Sequence, residues 1–523
     1  MPSLISRNPE KALINWNFTP EATHFNRQSR SLENITLPDQ FIGRRREVRE
    51  LEDELRSKKR TQLLITGPGG QGKTALAGYL AQQLQHDGWL VIDWSARPEY
   101  HWRDFKRQVE QQLSPDHIAR YNHESIQKKN EQDNATMLLS LLAQQTYGQL
   151  LLFFDNLETI QNPQTLELDD VSQQSWINAA QKLSNLGVSM LLTSRWKMPG
   201  WDDKNHWPLG KTSYNDYLAL ARQQPNLKIL LHDRDRLRQA HQKLHGNARA
   251  LTFFAAALKD LDSQEQTQFL QKLDQAQAES QADMALAFVI DHRSPHEREL
   301  LNRLRVYASA VPIEGIIKLA LLESPLKDPK ALVEKLRHVS LLEQSFAEDL
   351  HTSVYQCSSQ VSQWLQDNNT APPTQTVLQA AARYQVYLFR HERRTLTQAI
   401  VSHHALQLAG EKNVAEQLAL DHIVGRLSLG GFYQTVLQEW LPEICKSNDL
   451  KIKAEGLGQT GKQYIHVGDY DTALKYLEQS LGIRHEIGDK SGEGVTLNNI
   501  WFIRQVRTFM RHRQEHNWFH AAP

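Results

Sequence analysis

The stretch Leu63-Leu64-Ile65-Thr66-Gly67-Pro68-Gly69-Gly70-Gln71-Gly72-Lys73-Thr74-Ala75-Leu76-Ala77-Gly78-Tyr79-Leu80 decides how this chain is read. Leu63 to Ile65 is an apolar run of strand type, and Ala75 to Leu80 is helix-forming. Between them, Gly67 to Thr74 spells G-x-x-x-x-G-K-[ST]. A strand–turn–helix of this kind leaves backbone N–H groups free to surround phosphate oxygens. Its glycines let the chain pass close to them without Cβ clashes. Lys73 offers a mobile cation for β- and γ-phosphates, and the Thr74 hydroxyl a ligand for Mg²⁺. Gly67, Pro68, Gly69, Gly70, Gln71, Gly72, Lys73 and Thr74 are therefore expected nucleotide contacts. A plain Gly-rich turn would leave Lys73-Thr74 at the helix start unexplained.

Working outward, strand-like runs alternate with helical segments: Leu63 to Thr66, Leu90 to Asp93, Leu150 to Phe154 and Ser189 to Thr193. Alternation implies a parallel, three-layer α/β sheet. A helix from Arg46, with Val48, Leu51 and Leu55 on one face, precedes it. After about residue 215 the strands stop and a Leu-rich helical stretch follows. Ser294-Pro295 with Glu297 reads as a capping box opening a new helix, and Asp328-Pro329 opens another. Short β-type runs at Val339 to Leu342 and Val354-Tyr355 complete the signature of a winged helix. Asn368 to Pro373 reads as a linker, and helices are expected beyond it.

A phosphate loop needs an acid at the end of a buried strand to hold hydrated Mg²⁺. Asp155, closing Leu150-Leu151-Leu152-Phe153-Phe154, supplies it, and ligands bind at the carboxyl ends of such strands. The other use for Asp155 is an N-cap on the following turn. Glu158 could polarise an attacking water or sit solvated in the loop. Val188 to Arg195 reads as a further buried strand ending in two hydroxyls and an arginine, and the Arg195 guanidinium is suited to a γ-phosphate. Lys73, Asp155, Glu158 and Arg195 are the catalytic candidates; Thr74 and Asp155 are the Mg²⁺ candidates.

With these motifs in order, residues 39 to 365 resemble the STAND class of signalling ATPases, in its NB-ARC-like branch. Phe41-Ile42-Gly43-Arg44 resembles the segment that contacts adenosine in that class, implying Gly43 and Arg44 as nucleotide contacts. Gly67 to Thr74 corresponds to Walker A, Leu151 to Asn156 to Walker B and Thr193-Ser194-Arg195 to the sensor strand. Gly246-Asn247-Ala248-Arg249-Ala250-Leu251 is similar to the Gly-x-Pro-x-Ala-Leu segment of the helical subdomain, implying Ala248 near the nucleotide. Three positions depart from the pattern. Ala248 replaces proline, Asn156 stands where many members have a second acid, and Ser358 stands where a histidine often contacts ADP. The resemblance then implies a looser nucleotide hold and slow hydrolysis.

Leu457 to Leu481 resembles a tetratricopeptide repeat: Gly461, Tyr464, Gly468, Tyr470, Ala473 and Leu477 occupy its small and aromatic positions. One repeat cannot bury its faces unaided, so the helices from about 374 to 450 are expected to stack before it. Leu497 falls forty residues after Leu457, yet Trp501 stands where glycine is expected, and the remainder is rich in Arg, His and aromatics. Either the frame or the chain is interrupted near 500, or the tail is a divergent capping helix.

The expected fold class is multidomain α/β plus α: a P-loop NTPase parallel sheet, a helical subdomain, a winged helix and a C-terminal TPR-like α-solenoid. The divisions are 1–38 (linker or remnant extension), 39–215 (P-loop NTPase α/β domain), 216–293 (helical subdomain), 294–368 (winged helix), 374–500 (TPR-like repeats) and 501–523 (atypical tail, truncated or frameshifted in one of the two readings). The 523 residues carry 60 basic and 60 acidic side chains, without the one-signed field of a dedicated nucleic-acid binder. Cys357 and Cys445 have no metal or redox spacing, as expected of a cytoplasmic protein. The longest aliphatic or aromatic run, about Leu150 to Phe154, is far short of a membrane span. His241 and His245, and the pair His403-His404, lack a third ligand and read as ordinary polar side chains.

What this implies is an ATP/ADP- and Mg²⁺-binding regulatory switch, a slow ATPase, with a protein partner on the repeats and nucleotide-dependent homo-oligomerisation. Residues 1–38 are too short for an effector, so a split system or a fragment is expected. The alternatives are a nucleotide-binding scaffold with vestigial hydrolysis, and a transcription regulator reading DNA through Lys335, Arg337 and His338.

Overall fold

A computed structural model describes residues 35, 41–96, 102–125, 130–162, 164–223, 231–258, 261–275, 281–307, 309–347, 349–357, 359–368 and 371–518. Apart from Ile35, the expected N-terminal extension lies outside them, as does Ser358.

Five parallel strands form the sheet: β1 Gln62–Thr66, β2 Leu90–Ser95, β3 Leu150–Asp155, β4 Val188–Ser194 and β5 His206–Pro208, in the order β2-β3-β4-β1-β5. The four strands legible in sequence are all present and slightly longer. β5 has no periodic signal because three residues are too few to show one. β3 and β4 are buried along their whole length, as covered parallel strands must be. Successive side chains serve opposite cores. Leu64, Leu152 and Phe154 pack with Trp102, Phe105 and Trp176, whereas Leu63, Ile65, Leu151 and Phe153 pack with Leu51, Leu76 and Leu80. Register sets Ile65 beside Thr193 and Thr66 beside Ser194, so β1, β3 and β4 end on one edge.

Helices Tyr214–Gln223, Arg234–Lys243, Ala248–Ala257, Ser263–Gln275 and Gln281–Asp291 follow. The capping box of Ser294 and Glu297 then starts Pro295–Leu304, and the Asp328 side chain caps Pro329–His338. A three-stranded antiparallel ribbon closes this part: β6 Val311–Pro312, β7 Leu342–Ala347 and β8 Thr352–Cys357, in the order β6-β8-β7. The β run expected at Val339 to Leu342 begins only at Leu342, because Val339 to Leu341 turn the chain off the helix with their apolar side chains buried. One apolar core runs from Tyr217 through Phe254, Leu300 and Val333 to Tyr384, so packing does not break at residue 293 or 368.

Described residues beyond 371 are helical apart from turns, including three π-helical stretches at Leu388–Glu392, Leu420–Val424 and Val436–Trp440. The repeat-like pair is Leu450–His466 against Tyr470–Glu486. Gly461 permits their approach, since a Cβ there would lie 2.6 Å from Leu477 Cγ. The last helix, Lys490–Trp518, passes through residues 500 and 501 without a break; Ile500 and Ile503 join Ala473 and Leu477 in a core, while Trp501 is exposed. Among the described residues no helix is long and apolar enough to cross a membrane.

The C-terminal helices dock back on the sheet domain through helix Trp102–Gln111. Arg103, Lys106 and Glu110 share one of its faces, at helical spacing. Arg103 lies over the Trp440 ring at 4.7 Å and donates to His404 Nε2 at 2.6 Å. Lys106 bridges Glu439 at 2.9 Å and Glu131 at 3.2 Å. The Thr435 hydroxyl donates to Glu110, and Asn122 Nδ2 to the Gly431 carbonyl at 2.6 Å. Burial pushes the Glu110 carboxyl up to about 8 against the opposing Thr435 bond, and burial also raises Glu439. His403 and His404, expected as ordinary polar side chains, are buried at this contact.

Candidate functional site

The loop Gly67 to Gly72 leaves β1 and runs into helix Lys73–His86. Its crest lies under the turn that begins helix Ala248–Ala257. Gly70 has φ +78° there, and a Cβ on it would stand 2.4 Å from Arg249 Cβ. Only glycine meets both demands.

Lys73 is buried and its Nζ donates to the carbonyls of Gly67 (2.9 Å) and Pro68 (3.3 Å). Glu158, on the short turn Leu157–Thr159, lies between two cations: its Oε1 is 3.8 Å from Lys73 Nζ and 3.6 Å from Arg195 Nε. Burial pushes the Lys73 ammonium below the usual lysine range; Glu158 works against that shift and Arg195 adds to it. The Arg195 guanidinium lies beside the crest, where a Cβ on Gly69 would meet it at 3.4 Å.

Asp155 ends β3, almost wholly buried. Its Oδ1 accepts from the Thr74 hydroxyl at 2.7 Å and the Thr193 hydroxyl at 2.5 Å. Thr193 in turn accepts from the Asn156 N–H at 2.9 Å. Asp155 is thus part of a strand-end network. The cap position of the next turn falls to Asn156, at φ 64° and without a side-chain cap bond.

Arg44 is buried with its guanidinium on the far side of the loop. Nη2 donates to the Gln71 carbonyl at 3.0 Å and to Thr212 Oγ1 at 3.2 Å, and Nη1 pairs with Glu47 at 3.0 Å. Its N–H donates to Asp216 Oδ2 at 3.2 Å, and Gly43 packs on the same Asp216. In this geometry Arg44 braces the phosphate loop. Ala248 is half-buried and follows Asn247, whose Nδ2 donates to the Gly69 carbonyl at 2.7 Å.

The sequence-predicted residues Gly43, Arg44, Gly67 to Thr74, Asp155, Glu158, Arg195 and Ala248 therefore gather around one sheet edge and its helical cover. Asp216, Thr212 and the Asn247 amide escaped sequence reading. Asn247 is legible as an N-cap, but its bond to Gly69 spans 178 residues.

The donor set suits a magnesium–nucleotide complex. Thr74 and Asp155 present hard oxygens side by side, as Mg²⁺ requires, and the buried Glu158 Oε2 has no hydrogen-bond partner among the described residues.

Residues 40–192 match the family model of the AAA ATPase domain. No curated protein sequence matches the chain. Among solved structures, a STAND protein with a tetratricopeptide repeat sensor from Pyrococcus horikoshii superimposes with a TM-score of 0.56 at 14% identity, covering 90% of this chain and 68% of that one. AMPPCP-bound DnaA from Aquifex aeolicus gives 0.24 at 12% identity, over 76% and 96% of the two chains. The Drosophila ORC bound to DNA gives 0.27 at 13%, over 70% and 96%. The latter two superpositions, with TM-scores of 0.24 and 0.27, are too loose to define a common architecture. Residues 40–192 are thus similar to AAA ATPase domains, and over 90% of its length the chain shares the fold of the STAND protein with a tetratricopeptide repeat sensor.

Proposed function

We propose that this chain is an ATP-binding regulatory switch that couples nucleotide state to partner sensing and self-association. The observation that carries it is the convergence of Lys73, Thr74, Asp155, Glu158 and Arg195 at the carboxyl edge of β1, β3 and β4, under a helical lid that touches the phosphate loop. In this reading the N–H groups of Gly67 to Gly72 bind phosphate oxygens and Lys73 neutralises the β- and γ-phosphates. Thr74 and Asp155 would hold Mg²⁺, which when bound would supply positive charge to the phosphates. Arg195 contacts the γ-phosphate, and Glu158 orients water with the oxygen that lacks a partner. Gly43 and Ala248 border the nucleotide, and Arg44 holds the loop in shape. γ-Phosphate contacts favour one arrangement of lid, winged helix (294–368) and repeats (374–500), which is what lets a nucleotide act as a switch.

The repeats take a protein partner, and the switch assembles into homo-oligomers in the cytoplasm. Asn156 in place of a second acid makes hydrolysis slow, so a nucleotide-binding scaffold remains the second reading; single-turnover hydrolysis separates the two. The DNA-reading alternative is disfavoured by the helix Pro329–His338. Its Arg337 is bound to Glu334 at 2.6 Å, and His338 Nδ1 sits 2.7 Å from the Glu334 carbonyl.

Lys73→Ala is the direct test. Calorimetry with MgADP and MgATP should show affinity falling roughly 10- to 100-fold, the range for losing charge-assisted hydrogen bonds. Unaltered affinity would remove the site. Light scattering with ADP and then a non-hydrolysable ATP analogue should show a larger particle with the analogue; equal masses would remove the assembly step.

A further inference from the structure

Asn247 precedes helix Ala248–Ala257 and is 1% exposed. Its Oδ1 accepts from the N–H groups of Arg249 and Ala250, at 3.1 and 2.9 Å. That oxygen is all a helix N-cap requires. The amide nitrogen makes a separate bond, donating to the Gly69 carbonyl at 2.7 Å. The Arg249 N–H adds a bond to the Gly70 carbonyl at 3.2 Å, and the Arg249 guanidinium reaches Glu343 on β7 at 3.2 Å.

A trans peptide is planar, with its C=O and N–H pointing opposite ways. Fixing the Gly69 carbonyl toward the lid therefore turns the Gly70 N–H away from it. Fixing the Gly70 carbonyl does the same for the Gln71 N–H. Two of the loop amides available to phosphate are oriented from behind, one by the Asn247 side chain, 178 positions from Gly69, and the other by the Arg249 backbone N–H.

We propose that Asn247 is a positioning residue for the nucleotide: its side-chain amide sets the Gly69–Gly70 peptide plane, so that nucleotide retention depends on closure of the helical lid. This rests on the nucleotide reading given above. Asn247→Asp isolates the strut from the cap. Aspartate caps a helix as well as asparagine does, but it replaces the Nδ2 donor with an oxygen facing the Gly69 carbonyl. Protonation restores a donor, and burial against a carbonyl raises an aspartate above its usual value of about 3.9.

Release of a fluorescent ADP analogue, with Mg²⁺, is to be timed for the full wild-type chain and for Asn247→Asp from about pH 8.5 to about pH 5.5. The variant should release it roughly tenfold faster at the alkaline end, one hydrogen bond's worth, and approach wild type at the acid end. Asn247→Ser, which caps but is too short to reach Gly69, should be fast throughout. Hydrogen exchange of the loop peptide in nucleotide-free chain supplies an independent readout and should be faster in Asn247→Asp. Release from Asn247→Asp equal to wild type across the whole range, or loop exchange unchanged by the substitution, overturns the strut. A wild-type chain that binds no nucleotide while its loop exchange still responds to Asn247→Asp overturns the nucleotide reading and upholds the strut.

Discussion

Thr193 shows how closely single side chains at this site depend on one another. Its hydroxyl donates to Asp155 and accepts from the Asn156 N–H. Thr193→Val keeps the shape and leaves a backbone donor without its partner, at a cost of about 1–3 kcal/mol. The expected result is a lower unfolding midpoint and weaker nucleotide binding in the presence of Mg²⁺, with binding in EDTA less affected; calorimetry with and without the metal checks it. At this scale the sequence was most informative where chemistry is local. Lys73 and Thr74 follow from a contiguous motif, and Asp155, Glu158 and Arg195 from their position at strand ends. What stayed hidden was direction. Arg44 lies where a nucleotide contact was expected, yet its guanidinium reaches Gln71, and the Asn247 amide reaches Gly69; those partners are 27 and 178 residues distant. No local spacing encodes such a bond.

Elements were legible in proportion to their length and periodicity. β3 and β4, with unbroken burial, were readable from their apolar runs, and Ser294 and Asp328 announced their helices through capping chemistry. β5 and β6 span three and two residues, and only pairing to a neighbour makes them strands. The division set at residue 500 falls inside the helix Lys490–Trp518, where Trp501, standing in place of the expected glycine, points to solvent rather than into the helix pair. Gly461 does carry the packing role read from sequence. Gly461→Val would drive a branched side chain into Leu477, which a Cβ alone already approaches to 2.6 Å. Overpacking of this kind costs about 1–3 kcal/mol. The unfolding midpoint of the C-terminal helices should fall in scanning calorimetry while nucleotide affinity is retained.

At the scale of the molecule, the contact between helix Trp102–Gln111 and the C-terminal helices makes docking sensitive to acid and base. Glu110, raised to about 8 in the folded chain, faces Lys106 and Arg107 on its own helix, Tyr121 on the next, and Thr435 and Glu439 across the contact, while Glu131 meets the same Lys106. Its ordinary value is about 4.3, so the folded state holds an extra proton between these limits. The stabilisation is complete below the lower limit and is lost as pH rises through the upper one. Thermal unfolding midpoints should therefore decline from about pH 5 to about pH 8. Glu110→Gln retains an acceptor for Thr435 and should flatten most of that decline, leaving the smaller slope from Glu439. Sequence could not flag this surface, because Arg103, Lys106 and Glu110 have the spacing of a solvated helix face. Their charge has a further consequence while the protein is being made. Glu110 and Thr435 are 325 residues apart, so at 5–20 residues per second the ribosome needs about 15–65 s to deliver one to the other. Through that delay the nascent sheet domain presents water mainly with the charged Arg103, Lys106 and Glu110, with Ile118 as an apolar exception, rather than with a broad greasy half-interface.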